Sequence, residues 1–408
     1  MTHILIVGRG FTTFNNYLTE HGYTYTILRD AATTKPGHRP RPGEIVADFT
    51  TWGTLEQAVK NLPVRPDGVV TIYENYVRDV AQIAHLLGLP GMPLSAAQAC
   101  TDKALMRQLF AQAPKPISPA FQEVTTWDQV AAFAAAHQFP LMLKPANLVK
   151  SLLVMKANDL AELQANWQHM TATIADVYAQ WAPHASPKIV VEEYLSGHVY
   201  STDAFVDATG VPHVLPHIVD YQTGYEMGYD DNFHYSRLLP SQLSATDQEK
   251  LLHCAALGCQ ALGMRSSPAH IEIIMTPAGP RIVEIGARNG GYRERMYRLS
   301  LGLDIYANAL YTAIDHPLEL EPTRHEPVAV LELFPHETGT FVEVAHEAEL
   351  QTLPSLEYYK CKRTPGEPTG KSRDGYKFSA VVILHHANPA QFARDLAFVN
   401  DNVRIVTA

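Results

Sequence analysis

The stretch from His270 to Gly291 reads His-Ile-Glu-Ile-Ile-Met-Thr-Pro-Ala-Gly-Pro-Arg-Ile-Val-Glu-Ile-Gly-Ala-Arg-Asn-Gly-Gly. Glu272 and Glu284 each sit in a short β-branched run, and Pro277-Ala278-Gly279-Pro280 between them is a turn signal. A loop over Pro277 to Gly279, with Gly279 in the left-handed region, pairs the two strands so that Glu272 faces Glu284. Opposed residues on one face lie about 5 Å apart at Cβ, where two carboxylates repel and need a proton or a cation between them. Arg288 follows, and Gly290-Gly291 lets backbone come close to a ligand. Carboxylate pair, arginine and glycines together suggest a magnesium-nucleotide site. The plain alternative is a solvated edge pair over a core of Ile271, Ile273, Ile282 and Ile285, and the rest of the chain decides between the two.

With 408 residues the chain has room for two or three domains. A hydrophobic fraction of 46% and a charged fraction of 18% are those of a globular protein, which excludes disordered and fibrous classes. A net charge of −10 argues against a nucleic-acid partner. No apolar run reaches membrane-span length, and Met1-Thr2-His3 leads straight into a strand-like run, so neither a membrane partner nor a signal segment is expected. The 4 cysteines show no CxxC spacing and the 19 histidines no HExxH, so the expected setting is cytoplasmic, and Cys254 and Cys259, in an apparent helix, read as small core residues. Composition leaves monomer and homodimer open.

The first ninety or so residues alternate strand and helix, as a small doubly wound sheet does. His3 to Val7 is a buried-strand run ending in Gly8-Arg9-Gly10, followed by strands at Tyr23–Leu28, Gly43–Asp48 and Gly68–Tyr73. Thr13 stands where a dinucleotide fingerprint needs its third glycine, so that reading fails. After Pro90-Gly91, Thr101 or Asp102 caps a helix beginning at Lys103, and Phe139–Lys144 is a strand ending on a lysine. Residues 117 to about 196 read as a flap inserted in a larger sheet. Asp220 to Leu239 reads as a long polar and aromatic loop of functional kind. The organisation expected is an N-terminal Rossmann-like domain over 1–95, a second domain over 96–325 and a small α+β unit over 326–408, with strands Val328–Leu333 and Phe378–Leu384 and a helix near Ala390–Val399.

Four pieces stand in order: the capped helix at Asp102-Lys103, the strand ending Lys144-Pro145, the turn Glu192-Glu193-Tyr194-Leu195, and the hairpin Glu272…Glu284…Arg288. This ordered set resembles the ATP-grasp superfamily, specifically its carboxylate–amine ligases, and most of all the L-amino acid ligases that join two amino acids. The resemblance spans roughly residues 1 to 325. It implies an α/β architecture, an ATP-grasp fold behind the Rossmann-like domain. It also implies that Lys103 and Lys144 clamp the triphosphate from two subdomains, as separated lysines can.

By the same resemblance, Ser151 and Leu153 lie in the loop that covers the phosphates, although Leu152-Leu153 replaces the usual glycines. Glu192, Glu193, Tyr194 and Leu195 match the hinge that reads adenine, and Val199 stands where the family usually has a ribose-binding glutamate. Glu272 and Glu284 match two magnesium ligands, a site that manganese also suits. Gly286 replaces a common asparagine ligand, and Arg288 matches the arginine that stabilises the developing oxyanion. Glu74, at the end of the fourth strand, is a candidate for a substrate ammonium group. His217, Tyr221, Gly290 and Gly291 are candidates for the amino-acid pocket, and Arg293 and Arg295 for a carboxylate.

The implied reaction activates a carboxylate as an acyl phosphate, releases ADP and couples the acyl group to an amine, with small molecules (amino acids) as partners and ATP with Mg2+ as cofactors. The flap would keep water from the intermediate. The alternatives are a carboxylase or nucleotide-precursor synthetase on the same scaffold, and a nucleotide-binding protein without turnover.

Overall fold

The computed structural model describes the chain except residues 35–36, 149–151, 182–185 and 232. Strands β1 (His3–Gly8), β2 (Thr24–Asp30), β3 (Glu44–Ala47) and β4 (Gly68–Val70) form a parallel sheet in the order β3-β2-β1-β4. It carries helices α1 (Thr12–Glu20), α2 (Trp52–Lys60) and α3 (Val77–Leu87). Every residue of β1 is buried, because a parallel strand covered on both faces has no polar side to show. β4 stops at Val70, so Glu74 lies not on that strand but on the short 3₁₀ turn Glu74–Tyr76 beyond it.

Helices α4 (Leu94–Cys100) and α5 (Lys103–Phe110) lead out of this sheet. Asp102 caps α5, accepting from the N–H groups of Ala104 and Leu105 at 3.0 and 3.2 Å. The flap is an antiparallel sheet, order β5-β8-β6-β7, built from β5 (Phe121–Val124), β6 (Leu141–Pro145), β7 (Met155–Ala157) and β8 (Ile189–Glu193). Helices α6 (Trp127–Ala136) and α7 (Leu160–Trp181) contribute Val130, Phe133, Leu163 and Met170 to its own core. The edge strand β5 has no counterpart in the sequence reading.

The largest sheet has nine antiparallel strands. Its first members are β9 (His198–Val206), β10 (Pro212–Val214), β11 (Val219–Thr223) and β12 (His234–Leu239), followed after α8 (Ala245–Ala261) by β13 (Ser267–Thr276) and β14 (Gly279–Gly286). Helices α9 (Arg293–Leu301) and α10 (Ile305–Ile314) precede β15 (Val328–Leu333). The last unit holds β16 (Gly339–Ala345), α11 (Glu347–Leu350), β17 (Leu356–Cys361), β18 (Pro368–Thr369), β19 (Ala380–His385), α12 (Pro389–Asn402) and β20 (Arg404–Thr407). The order β14-β13-β9-β11-β12-β15-β19-β17, with β10 beside β9, makes the C-terminal strands continue the central sheet, while β18-β16-β20 stand apart. Ile271 and Ile273 pack with α8 on one face, and α9 covers part of the other through Met296 and Tyr297. Alternation along β13 therefore puts His270 and Glu272 on the α9 face.

The segment Asp220–Leu239, expected to be a loop, is instead a β-hairpin in the middle of this sheet. Its polar residues hid the strands, but several have partners in the sheet. Tyr221 accepts from Arg293, Ser236 donates to Gln222 at 2.9 Å, and Arg237 pairs with Glu332. At the hairpin tip Asp231 accepts from the backbone of Arg373 at 3.2 Å, and Tyr229 stacks on His336 at 4.1 Å. The tip is thereby docked on the C-terminal unit.

Candidate active site

The hairpin β13–β14 delivers its two carboxylates by a different route from the one expected. The turn is shorter, with Thr276 opposite Gly279 (φ +101°), and the ladder then slips at Val283 so that Glu272 faces Glu284 after all. Such a bulge leaves one backbone carbonyl off the ladder. Arg107 takes it up, its Nη2 donating to Val283 O at 2.8 Å. α5 and the hairpin are thus fastened at the residue beside Glu284.

Lys103, the first residue of α5, sits 2.9 Å from Glu284 Oε2 and 3.3 Å from Leu148 O. Burial pulls its pKa down, but Glu284 more than offsets this and holds the ammonium charged. Lys144, on β6, pairs with Glu192, and Arg107 Nε approaches the other oxygen of Glu192 at 3.1 Å. Arg107 is completely buried. Burial favours a neutral Glu192, yet Arg107 and Lys144 together hold it ionised. The Glu192 carboxylate is therefore committed to two cations, which leaves the backbone of this turn as the part able to meet adenine. Glu193 accepts from the Ala120 N–H at 3.0 Å. Just past β8 the Tyr194 N–H still donates to Pro140 O at 3.3 Å, and Lys156 stands over the Tyr194 ring at 4.4 Å.

Burial lowers Lys144 to about 8 despite Glu192 beside it. Only the charged ammonium attracts a triphosphate, so affinity for an ATP analogue should weaken as pH rises through about 8. Fluorescence titration checks this, and Lys144→Met should bind weakly with no such pH dependence.

On the far side of the pair stands Arg288, whose Nε lies 2.8 Å from Glu74 Oε2. Glu74 nevertheless accepts no hydrogen bond among the described residues. Burial raises its pKa, opposed chiefly by Arg288. Gly286 makes room for it, since a Cβ there would lie 2.7 Å from Glu74 Oε2. The position that the resemblance matches to a metal-binding asparagine is thus filled, in this chain, by a carboxylate from the 3₁₀ turn that follows β4. Gly286→Asn should cost about 1–3 kcal/mol by overpacking, and Glu74→Ala in the same chain should restore most of it, as urea midpoints of the two singles and the double would show.

A buried network supports Glu272. His270 Nε2 lies 3.6 Å from Glu272 Oε1, and its Nδ1 lies 3.0 Å from Asp203 Oδ1. Asp203 also accepts from the Gly290 N–H at 3.1 Å and from Tyr297 OH at 2.8 Å, and Arg293 Nε stands 3.2 Å away. Burial opposes charge on both partners of the dyad. Asp203 is nonetheless held down to about 2, chiefly by His270, and His270 is raised to about 9, chiefly by Asp203. Glu272 stays ionised against burial through His270, His234 and Arg288. A Cβ on Gly290 would meet the His270 ring at 2.5 Å, so only glycine lets this loop lie on the dyad.

The remaining candidates scatter. Tyr221 is buried and accepts from Arg293 Nη2 at 2.8 Å. Gly291 accepts from Arg293 at 3.4 Å. His217 stands beside His325, 5.8 Å between ring centres, and burial with that neighbour lowers it to about 4. It makes no ion pair with either glutamate among the described residues. Leu153 (φ +55°) packs on the flap core, and Ser151 lies outside the described residues. Val199 pairs with Ile274 inside the sheet. Sequence reasoning missed Arg107, Asp203, His270 and Arg237. Signals for two existed: a charge on the apolar face of α5, four residues from Lys103, and a histidine two residues from Glu272 on the same strand face.

No group of three or more His, Cys, Asp or Glu side chains suited to a metal occurs among the described residues. Two facing carboxylates still fit magnesium, which keeps water and phosphate oxygens as its other ligands. Lys103 now stands against Glu284 on the same face, as a cation should beside such a pair.

Residues 137–294 match the sequence pattern of the ATP-grasp domain. The chain carries an ATP-grasp domain. Its whole fold is similar to the L-amino acid ligase of Bacillus licheniformis, with a TM-score of 0.81 at 19% identity over 100% of this chain and 99% of that one. A phosphoribosylglycinamide synthetase from Anaerococcus prevotii is similar at a TM-score of 0.70 and 17% identity, covering 100% of both chains. In sequence, the alanine–anticapsin ligase of Bacillus subtilis is 24% identical over 58% of this chain and 52% of its own length. The chain spans between about half and 61% of the first curated relatives it matches. The ATP-grasp match contains Lys144, the Glu192 turn, both carboxylates and Arg288, while Glu74 and Lys103 reach the site from outside it.

Proposed function

We propose that this chain is an ATP-dependent, ADP-forming ligase that joins a carboxylate to an amine, with amino acids on both sides of the new bond. The observation that carries this is the Glu272–Glu284 pair with Lys103 at its edge and Arg288 beside it. Mg2+ bound at that pair would neutralise phosphate charge and polarise the transferred group. Lys103 and Lys144, one from α5 and one from the flap, would bind the triphosphate between them. An oxygen of the substrate carboxylate attacks the γ-phosphorus, the bond to the β,γ-bridging oxygen breaks, and ADP leaves. The amine nitrogen then attacks the acyl carbon, the carbon–oxygen bond to phosphate breaks, and the nitrogen gives up a proton. Arg288 faces the negative charge that builds on the acyl oxygen.

Glu74, with neither oxygen hydrogen-bonded among the described residues, suits the ammonium group of the activated amino acid. The flap, with a core of its own, suits a cover that excludes water from the acyl phosphate. No described helix is long and apolar enough to cross a membrane. A cytoplasmic setting suits the proposed substrates.

Pairs of amino acids supplied with Mg-ATP should give ADP, phosphate and a product of dipeptide mass. Formation of AMP and pyrophosphate would reject the reading. A bicarbonate arm, with phosphate release measured, tests the alternative that the likeness to the phosphoribosylglycinamide synthetase keeps in view, a carboxylase or nucleotide-precursor synthetase.

A further inference from the structure

The carboxylate pair is one end of a longer polar stripe on the α9 face of the central sheet. Glu284 lies opposite Glu272, Glu272 opposite Ser201, and Ser201 opposite Val219. Tyr221, two residues beyond Val219 and hence on the same face, lies opposite Arg237, and Arg237 lies opposite Val330. Glu332 is again two residues on. With strands about 4.8 Å apart and about 3.3 Å per residue along them, three strand steps and a two-residue step put the backbone of Arg237 about 16 Å from that of Glu272. His234 borders the interval. Its ring meets Tyr221 at 4.4 Å between centres, and both Glu272 and Glu332 are close enough to act on its charge.

Arg237 is held as a ligand-binding guanidinium would be. Its Nη2 donates to Glu332 Oε2 at 3.2 Å, and Tyr292 OH donates to the other oxygen of Glu332 at 2.7 Å. The rings of Tyr292 and Tyr221 lie 5.3 and 5.6 Å from the guanidinium carbon. Nη1, buried, has no hydrogen-bond partner among the described residues. Leaving a buried charged donor unpaired is costly, and a planar guanidinium is built to meet a carboxylate. Arg293, buried beneath the same stripe, adds a second positive charge near the Arg237 guanidinium. Glu332 fixes the fork.

We propose that Arg237 receives the carboxylate of the amine-donating substrate, so that this substrate is a free amino acid and not merely a primary amine. The assignment rests on the ligase reading above and adds to it the residue that selects the nucleophile. It also gives the stripe a direction: activation at Glu272 and Glu284, carboxylate anchoring at Arg237, and the nucleophilic nitrogen between them.

The test is a competition in one tube. An amino acid that the wild-type protein couples as amine donor is mixed in equal amount with its C-terminal amide, and the two products are separated by mass and charge. Wild type should favour the free acid. Arg237→Met should shift the product ratio toward the amide by about ten- to a hundredfold, and Arg237→Lys by less, because a point charge replaces the fork. A purely structural role would slow both products alike and leave the ratio unmoved, which would overturn the assignment. Equal use of acid and amide by wild type would overturn it too. If no amino acid supports ADP formation at all, the ligase reading falls and takes the assignment with it, a result distinct from an unmoved ratio.

Discussion

Glu284→Gln should abolish turnover while leaving the protein folded. The substitution keeps the shape of the side chain and removes the charge that faces Glu272 across the ladder. Changing an outer partner of a metal site typically costs 10- to 100-fold in affinity or activity, so loss of one of the two carboxylates themselves should cost about a hundredfold or more. Stability should hardly move. The Lys103–Glu284 pair is partly exposed, with Glu284 at 36%, and such pairs are worth under about 1 kcal/mol. Relief of repulsion from Glu272 works in the opposite sense. ADP release, Mn2+ binding to the protein alone and a urea midpoint together give the answer, and an unaffected rate would reject the metal assignment.

Arg288→Met should lower kcat by about 10²–10³, the usual effect of deleting one donor to a developing oxyanion. The KM for ATP should change little, because Arg288 pairs with Glu74 rather than with either clamp lysine. Glu74 gives a second readout. Burial already raises its pKa and Arg288 is the chief opposing charge, so removing Arg288 should push it further up. The variant should therefore bind an amino acid's ammonium group less well, and least well at acid pH, where Glu74 is neutral. Rapid-quench measurement of ADP and product should show ADP formed faster than product. Equal slowing of both would move Arg288 from the coupling step to the phosphoryl step.

Much of the site was legible because its chemistry is local in the chain. Glu272, Glu284 and Arg288 fall within one hairpin, and pairing across its turn sets the two carboxylates opposite each other. Even there the mechanism of pairing was not legible. The shorter turn and the bulge at Val283 compensate each other, and the anchor for that bulge is Arg107, far away in sequence. The Asp220–Leu239 hairpin was lost for a similar reason. Tyr221 and Arg237 look like loop residues until Arg293 and Glu332 supply their partners.

The sequence by itself determined the strands that bury apolar runs, the capped helix at Lys103, and which side chains could carry charge to one face. Those depend on propensity, periodicity and nearby residues, which the chain displays in order. Tertiary structure alone decided that Glu192 serves Lys144 and Arg107 instead of standing open, that Glu74 fills the space left at Gly286, and that Asp203 holds His270 behind Glu272. Each of these is a balance between burial and a specific opposite charge from a distant segment, and neither term exists until the fold brings the segments together.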